Sequence, residues 1–561
     1  MNAAQSFARA TANHQAGRLK EAEQDYLETL KADDRDADAL RLLAALYVQA
    51  NRPQEAIAFF ERAHRADPRN AETLNNLGVA LRNSGRLEEA ADRYAQALQI
   101  DPHSAEARGN LANAHYERGN ALIAPKQLDE AAAYFEKTLQ LEPGHFRALN
   151  NLGNLHRAKH KPEAAVPLYR RALAVKPDYA EALVNLGTAL RDLDHLDEAL
   201  ECYRQALRLK PNDINTIINL GTLLQQMNRH EESVALYNDV LRVAPHAAEV
   251  KWNKSLALLA LGNYREGWAL YEEGIACGKR GAQPFQSRHW NGNRFAGRLL
   301  IWGEQGIGDQ IQFLRYAALC KELCGEVFVW ARPTLAPLLK NCSYIDHVAA
   351  DPGENDFDCH ISMMSLPHLF GTTLENIPSA VPYLFVSDEA RAKWAPKFAG
   401  VGNFKIGLVW AGNSRAGQLD AHLIDRRRSL HLSLLQPLLD LKGLRFYSLQ
   451  MSDAAGQIEE CGLRGRIEDF MPEVNDFLDT AAIIENLDLV ISVDTSVAHL
   501  AGALGKPVWI LSRYDACWRW LRNRETNPWY PTARVFGQKE AGDWEGVVEK
   551  VSQTLATRVR S

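Results

Sequence analysis

The chain has 561 residues, 46% of them apolar and 24% charged, which excludes a mainly disordered chain and predicts several globular domains, about four by length. Its net charge of −6, from 64 basic and 70 acidic residues, argues against a general binder of nucleic acids or anionic membranes. No apolar run approaches the roughly 18 residues of a membrane span, and the N-terminal segment lacks the apolar core of a secretory signal, so we expect a soluble, cytoplasmic protein. The eight cysteines form no CxxC pair, and they predict reduced thiols rather than a zinc site.

The first half of the sequence repeats with a period of 34 residues. A glycine, an alanine twelve positions later and an aromatic four positions after that recur in phase, as Gly78, Ala90 and Tyr94 do in one unit. Small residues let two helices approach closely, the aromatic ring fills the space between them, and a proline ends the second helix. Such a pair cannot bury its apolar face alone and has to stack on its neighbours. The prolines that mark the period are Pro68, Pro102, Pro143, Pro177, Pro211 and Pro245.

This pattern resembles the tetratricopeptide repeat, and the resemblance implies a superhelix of stacked helical pairs over residues 1–280. One step between the marking prolines is 41 residues instead of 34, and the extra residues, around 119–126, predict a bulge or a lengthened turn. The predicted repeats begin near Ala3, Ala37, Ala71, Ala105, Phe146, Ala180, Ile214 and Ala248.

One column of the repeat holds an asparagine in six consecutive units. In a tetratricopeptide superhelix that position faces the concave groove, where amide side chains can pair with the main chain of an extended peptide of any sequence. The column resembles the asparagine ladder of the protein O-GlcNAc transferases, which implies a polypeptide partner. The alternative is that these amides only hydrogen-bond between adjacent repeats. The column consists of Asn76, Asn110, Asn151, Asn185, Asn219 and Asn253.

The second half changes to short apolar runs that alternate with helix-length segments, which is typical of a parallel α/β sheet. A segment rich in Gly, Arg and aromatics, 281–298, is interpreted as a linker, and a polar stretch at 387–403 separates two blocks. We therefore predict two Rossmann-like domains, 299–395 and 396–561. The predicted strands are 299–304, 326–331, 404–412, 444–450, 487–494 and 506–511.

The first of two informative strand-to-helix junctions follows the first predicted strand, at the sheet edge where ligands bind. Gly306 and Gly308 permit a tight turn there, and Asp309 stands in the first turn of the following helix. The junction lacks the Gly-Lys-Ser/Thr of a phosphate loop. Asp309 either caps the helix or presents a carboxylate to a cleft between the domains, where it would take a proton from an acceptor hydroxyl.

At the second junction a buried strand runs into Asp494, Thr495 and Ser496, where a helix of small residues begins. Free main-chain amides at that helix start, with the two hydroxyls, form a site suited to a diphosphate. His499, one turn into the helix, either contacts the ligand or packs against the sheet.

Both junctions resemble those of the heptosyltransferase-like glycosyltransferase family 9. The resemblance implies that Asp309 is the catalytic base, that Gly308 beside it belongs to the nucleotide-sugar site, and that the second junction grips the nucleotide-sugar. Ser496 stands where the family usually has glycine. The fold class that follows is α + α/β, an all-α tetratricopeptide superhelix and then a GT-B pair of Rossmann-like domains. The implied diphosphate contacts are Asp494, Thr495, Ser496 and Val497.

A third segment offers planar guanidinium groups, which suit phosphate oxygens. Three adjacent arginines follow the first strand of the C-terminal domain, and Arg428 lies closest to the lysine that the family usually has, although which arginine substitutes is open. A solvated charge run is the alternative for all three. Gln450, at the end of the next strand, is expected to contact the base or the ribose, and the aromatic cluster at 518–530 would wall the cleft or lie in a core.

We therefore expect an inverting glycosyltransferase that acts on a protein or peptide hydroxyl. It would need no metal and no cofactor beyond its donor, because a helix dipole and arginines can neutralise the leaving diphosphate. Two rivals remain. One is a non-catalytic repeat scaffold with a degenerate transferase domain, and the other is a transferase for a saccharide or lipid-linked acceptor. The sequence leaves the sugar, the nucleotide, the acceptor and the oligomeric state open.

Overall fold

The computed structural model describes residues 3–124, 126–281, 283–415, 417–522 and 524–560. The chain divides into two compact units, Met1–Pro211 and Asn212–Ser561.

The first unit consists of antiparallel helical pairs in which each helix packs against its neighbours in sequence. Side-chain caps begin several of the first helices: Asp36 accepts from the amide of Ala39 and Asn70 from that of Thr73. The first helix of every pair begins at the residue that the repeat frame predicts. The helices are α1 Ala3–Gln15, α2 Leu19–Ala32, α3 Ala37–Gln49, α4 Pro53–Ala66, α5 Ala71–Asn83, α6 Leu87–Ile100, α7 Ala105–Ile123, α8 Leu128–Leu141, α9 Phe146–Ala158, α10 Pro162–Val175, α11 Ala180–Asp192 and α12 Leu196–Leu209.

The recurring glycine and aromatic form the seam within each pair. Tyr169 is fully buried, and a Cβ added to Gly153 would lie 2.6 Å from its ring. The same close approach recurs between Gly78 and Tyr94. The spacing therefore recurs because only glycine leaves room for the ring between two helices.

The extra residues around 119–126 mainly lengthen a helix instead of forming the predicted bulge or lengthened turn: six of the seven lie in α7. Helix α7 runs for 19 residues, to Ile123, where the corresponding helix α5 has 13. Seven residues make almost two helical turns, so the insertion keeps the inward face in register. Gly119 accordingly takes the glycine place against Phe135. Pro125 lies outside the described residues.

The second unit begins with further helices of the same kind and continues into parallel sheets. Its described strands form one sheet in the order β3-β2-β1-β4 and another in the order β10-β9-β8-β5-β6-β7, and all neighbours are parallel. The strands are β1 Arg298–Trp302, β2 Glu326–Trp330, β3 His347–Ala349, β4 Cys359–Ser362, β5 Phe404–Val409, β6 Leu444–Ser448, β7 Ile467–Asp469, β8 Leu489–Val493, β9 Val508–Ser512 and β10 Ala533–Gly537.

Helices cover these sheets in the manner of Rossmann-like domains. The helices of this unit are α13 Ile214–Gln226, α14 His230–Val243, α15 Ala248–Ala260, α16 Tyr264–Tyr271, α17 Glu273–Ala276, α18 Ile307–Phe313, α19 Tyr316–Lys321, α20 Ala336–Leu339, α21 Leu366–Leu369, α22 Asp388–Trp394, α23 Leu419–Arg428, α24 Gln436–Leu439, α25 Gln457–Glu460, α26 Phe477–Glu485, α27 Ser496–Ala503 and α28 Trp544–Arg560. Single 3-10 turns lie at Pro333–Leu335, Met363–Ser365, Ala395–Phe398, Leu432–Leu435, Asp453–Gly456 and Met471–Glu473.

Each predicted strand is present, and β3, β4, β7 and β10 are additional. All four lie at the edges of their sheets, and β3 and β7 have only three residues each, so their apolar patterns are too short to recognise in the sequence. The interpreted linker, 281–298, packs on the first sheet: Trp290 is buried and its amide donates to the carbonyl of His360 at 2.9 Å. Ala282 within it lies outside the described residues.

The helical repeats reach Ala276, close to the expected end at 280, whereas the second compact unit already begins at Asn212. The reason is packing. Tyr264 and Trp268 of α16 belong to the same buried cluster as Leu299 of β1 and Trp529. The last helices are therefore part of the core of the α/β unit.

None of the helices in the described ranges is long and apolar enough to cross a membrane. The same residues contain no group of three or more His, Cys, Asp and Glu side chains placed to hold a metal ion. All eight cysteines are free thiols.

Candidate active site

A cavity of about 530 Å³ opens in the second unit at the carboxyl ends of several strands. Its walls come from the segments that follow β1 in the first sheet and β5, β6 and β8 in the second. Ligands of parallel sheets bind at this edge, because the strand-to-helix turns present main-chain amides there. The cavity is therefore the candidate active site.

The structure brings together every residue that was predicted for the transferase site. Each of them lines the cavity, although their roles as base or ligand contacts stay predictions. These residues are Gly308, Asp309, Arg428, Gln450, Asp494, Thr495, Ser496, Val497 and His499.

Asp309 stands at the start of α18 and forms an ion pair with Arg519 through its Oδ1. The two side chains are only 16% and 15% exposed, so water screens the pair weakly. Within the described residues Oδ1 has no hydrogen-bond partner besides this ion pair, and the N-cap of α18 is Gly306 rather than Asp309. The capping alternative is thus not what the structure shows.

Arg519 was not singled out from the sequence. Burial acts to lower its pKa, but the carboxylate of Asp309 raises it and the net pKa is raised, so the side chain is a fixed cation. Its guanidinium carbon lies 4.2 Å from the ring centroid of Trp518. The sequence signal was the aromatic cluster at 518–530, whose aromatic side chains lie buried in the core, whereas Arg519 of that segment lines the cavity.

The turn after β8 ends in a helix start with open amides. Thr495 is the N-cap of α27, and its hydroxyl pairs with Ser492 Oγ at 3.0 Å instead of capping the helix. The first main-chain bond of the helix joins the amide of Ala498 to the carbonyl of Thr495 at 3.2 Å. The amides of Ser496 and Val497 precede that bond and have no acceptor in the helix. They are therefore available to an anionic ligand.

Arg428 is the arginine of the charge run that reaches the cavity. Its Nη1 donates to the main-chain carbonyl of Asp494 at 3.0 Å, and its Nη2 pairs with Asp425. Asp425 is 3% exposed and also accepts two bonds from Arg415, at 2.7 and 3.2 Å. A buried carboxylate thus orients two cations at the mouth of the cavity.

The other two arginines of the run do not line the cavity. Arg426 is exposed, as a solvated charge run predicts, and Arg427 pairs with Asp515 at 3.3 Å. Of the three adjacent arginines, Arg428 is therefore the one that reaches the cavity.

Asp494 is flanked by positive charge. Burial acts to raise its pKa, but the cations of Arg428 and Arg513 act to lower it, and the net pKa lies below its usual value. A charged carboxylate would repel a diphosphate, so we expect its side chain to hold the surrounding cations while main-chain amides bind the ligand.

His499 is packed rather than free. Its Nδ1 lies 3.0 Å from the hydroxyl of Tyr530, and its ring stacks on Trp520 at 4.8 Å. Burial lowers its pKa to about 3, so the ring is neutral near pH 7 and offers no cation to a phosphate. A Cβ at Gly308 would lie 2.8 Å from its Cδ2, so the two junctions touch at this point.

Gln450 is buried, and its amide is fully engaged within the protein. Its Oε1 accepts from the amides of Trp410 and Ala411, and its Nε2 donates to the carbonyl of Ala411 and to Ser452. These four bonds use the capacity of a carboxamide. The expected contact with a base or ribose would therefore need a bond to be exchanged, and the observed role is to hold the turn after β5.

The asparagine column is half-buried, and several of its members pair as the alternative predicted. Asn110 donates to Asn75 and Asn185 donates to Asn150, each at 2.9 Å and each across adjacent repeats. Asn151 donates to Asn120 at 2.8 Å.

The remaining members of the column differ. Asn253 donates to the carbonyl of Glu249 in its own helix at 2.8 Å. Asn76 and Asn219 have no side-chain hydrogen bond within the described residues. The sequence missed that Asn75 and Asn150, one position earlier, are the partners between repeats.

Comparisons with known families agree with this architecture. The chain carries tetratricopeptide repeats in its N-terminal part and a glycosyltransferase family 9 (heptosyltransferase) domain at its C-terminal end. The family 9 match covers residues 460–542, which include the β8–α27 turn and Arg519 but not Asp309 or Arg428. The repeat matches are 47–95, 78–119, 104–178, 144–212, 178–246 and 218–282.

Among curated proteins, the chain is similar to Protein FlbA of Caulobacter vibrioides, with 29% identity over 308 residues. The match covers 47% of this chain and 48% of that protein, so the chain spans about half the length of this relative. Among solved structures it is similar to YrrB, titled a TPR protein with an unusual peptide-binding site, at 22% identity over 35% of this chain and 98% of that one, with a TM-score of 0.30. The C-terminal part of a TPR repeat-containing protein from Cytophaga hutchinsonii matches at 15% identity over 44% of this chain and 98% of that one, with a TM-score of 0.35.

Proposed function

We propose that this protein is an inverting GT-B glycosyltransferase that moves a sugar from a nucleotide-sugar to a hydroxyl of a protein or peptide. One observation carries the proposal. A single cavity is lined by the carboxylate of Asp309, from the first sheet, and by the open amides of Ser496 and Val497 with Arg428, from the second. A proton acceptor and an anion site facing one space are what glycosyl transfer from a diphosphate requires.

The donor would bind with its diphosphate at the start of α27. The amides of Ser496 and Val497 and the dipole of the eight-residue helix attract negative charge, and Arg428 supplies a planar cation. These groups would stabilise the charge that grows on the leaving diphosphate, and metal independence is therefore part of the proposal.

The acceptor hydroxyl would approach Asp309. Its oxygen forms a bond to the anomeric carbon while the bond from that carbon to the diphosphate oxygen breaks, and the nucleoside diphosphate leaves with the electron pair. Oδ2 of Asp309 takes the hydroxyl proton, because Oδ1 is engaged by Arg519. A single displacement of this kind inverts the anomeric configuration.

The repeats would supply the polypeptide acceptor. Asn76 and Asn219 present half-buried amides without protein partners in the described chain, and such groups can pair with a peptide main chain. Covalent attachment of the repeats to the transferase raises the local concentration of the acceptor.

A nucleotide panel and one variant test the proposal. We expect one nucleoside diphosphate to raise the melting temperature, because a ligand of the native state stabilises it by mass action. Asp309→Asn should lower kcat at least about 100-fold while the affinity for that nucleotide stays within about threefold.

The rival is the scaffold without activity, which is favoured by the ion pair that already occupies one oxygen of Asp309. No stabilisation by any nucleotide of the panel would support the scaffold and reject the transferase. Full turnover in Asp309→Asn would remove Asp309 from its role while leaving the donor site.

A further inference from the structure

Arg519 belongs to a segment, 513–530, that joins β9 to β10 and that the last helical pairs hold in place. At one end, Asn228 Nδ2 donates to the carbonyl of Tyr514 at 2.7 Å. Arg522 Nη2 donates back to the carbonyl of Asn228 at 2.5 Å. Asn228 is the left-handed residue of the turn between α13 and α14, with φ of 59°. The segment is thus anchored to a repeat turn.

Aromatic side chains hold the other part of the segment. Trp529 Nε1 donates to the hydroxyl of Tyr264 at 2.9 Å, and the ring of Trp268 meets that of Trp518 edge-on at 5.2 Å. Both partners lie on α16 and are buried. Because Trp518 also supports the guanidinium of Arg519, the position of that cation depends on packing against α16.

Arg519 is the direct charged partner of Asp309, because the other titratable groups near it are neutral or paired elsewhere. Burial raises the pKa of Tyr271 on α16, and burial lowers that of His499 on α27, so both are neutral near pH 7. Arg280 is matched by Glu272 and Glu304.

The remaining neighbours of the pair are also accounted for. Burial raises the pKa of Cys517, which keeps that thiol neutral, while it accepts a bond from Arg519 Nη1 at 2.8 Å. On the far side of the cavity, Arg428 and Asp494 offset each other.

We infer that Arg519 is a positioning residue that orients Asp309, and that the last helical pairs, by holding segment 513–530, are a structural part of the active site. This inference rests on the proposed role of Asp309 as the base. It assigns to the repeats a second task beside acceptor binding: they hold the segment that positions the base.

The first test compares variants at Arg519 by kinetics in the full chain. Arg519→Gln should lower kcat at least about tenfold at an unchanged KM for the donor, because the carboxylate loses the cation that orients it. Arg519→Lys should restore most of the rate by keeping the charge. Arg524→Gln, an exposed arginine of the same segment, is the matched control and should leave kcat and KM unchanged. An unchanged kcat in Arg519→Gln would overturn the inference.

The second test needs no transferase activity. The carboxylate band of Asp309 can be isolated as an infrared difference between the protein and Asp309→Asn. Its frequency should move in Arg519→Gln, because the carboxylate loses its bond to the guanidinium. An identical band would overturn the inference even if transfer occurs, whereas a moved band without transfer would support the ion pair and reject the proposed function instead.

A variant distant from the cavity tests the role of the repeats. Asn228→Gly keeps the left-handed turn and removes only the side-chain anchor to Tyr514, so we expect kcat to fall about threefold to tenfold at an unchanged KM for the donor. Asn51→Gly changes the same turn position of an early repeat and is the control. Equal rates in the two variants would contradict the proposed support by the repeats.

Discussion

Single residues in the cavity wall are held by partners on other elements, and this decides what each can do. Asp425 orients Arg428 and Arg415, and Tyr530 orients His499. A group that is held in this way does not have to be ordered when a ligand arrives, so the cost of binding falls. The predicted roles of Arg428 and Asp309 are compatible with such fixed positions, whereas Gln450 is committed to the main chain.

The contact between the two junctions gives a prediction at this scale. In Gly308→Ala the new methyl would lie 2.8 Å from His499 Cδ2 and 3.6 Å from Ser496 Cα. Since His499 is stacked and hydrogen-bonded, it cannot move freely, and the start of α27 should shift instead. We expect nucleotide affinity, measured by calorimetry, to fall about tenfold.

Gly402→Ala is the control, since no atom lies within 4 Å of its added methyl. Undiminished affinity in Gly308→Ala would show that the two junctions are not rigidly packed at this point.

At the scale of elements, the helical pair depends on its glycine and aromatic seam. Alanine in place of glycine would raise helix propensity by up to about 1 kcal/mol, but overpacking a rigid core costs about 1–3 kcal/mol. Tyr169 is fully buried and its hydroxyl is bonded to Asn154 at 2.6 Å, so the ring cannot yield easily. The packing cost should therefore exceed the gain in propensity.

We accordingly expect Gly153→Ala to be destabilising by about 1 kcal/mol, measured as a lower denaturant midpoint for the first unit. Gly144→Ala, in the turn just before the same repeat, is the control, because its methyl would meet only Val175, at an ordinary 3.6 Å. A midpoint for Gly153→Ala at or above that of the control would mean that the seam can relax.

Two experiments on the first unit distinguish the structural members of the asparagine column from those available to a peptide. Asn185→Ala removes a bond to Asn150 between repeats and should lower stability by about 1 kcal/mol. Asn76→Ala removes no side-chain bond within the described chain, so stability should hold while affinity for an unstructured polypeptide falls. Fluorescence anisotropy with a labelled peptide measures the affinity. Unchanged binding in Asn76→Ala would favour a purely structural column.

At the scale of the whole molecule, the compact units do not coincide with the sequence pattern. The repeats reach Ala276, but a fragment that starts at Asn212 keeps α13 to α17 with the α/β core, and one that starts at 281 loses them. Losing α16 would expose Trp529 and Trp518, which Tyr264 and Trp268 now cover.

Two truncations test this division. The fragment 212–561 should fold and keep the melting-temperature response of the full chain to its nucleotide, because the complete cavity lies inside it. The fragment 281–561 should aggregate or lose that response, since it exposes a large apolar surface. A stable, nucleotide-responsive 281–561 would show that the last helices are only attached to the α/β unit.

The sequence by itself determined the repeat frame and the strand-to-helix junctions. Both are local: a 34-residue period reports contacts between neighbouring helices, and an apolar run followed by glycine or a small-residue helix reports one strand and its turn. That is why the helix starts agree to the residue and why the sequence could name Asp309 and Asp494 to Val497, which line the cavity.

Only the tertiary structure decided which partners meet in the cavity. Arg519 and Asp309 come from different sheets, Asp425 selects Arg428 from three adjacent arginines, and α16 enters a core formed almost wholly by later residues. Such choices depend on charges and apolar surfaces that lie far apart in the chain, and no local period records them, because burial and ion pairing act through space once the elements have packed.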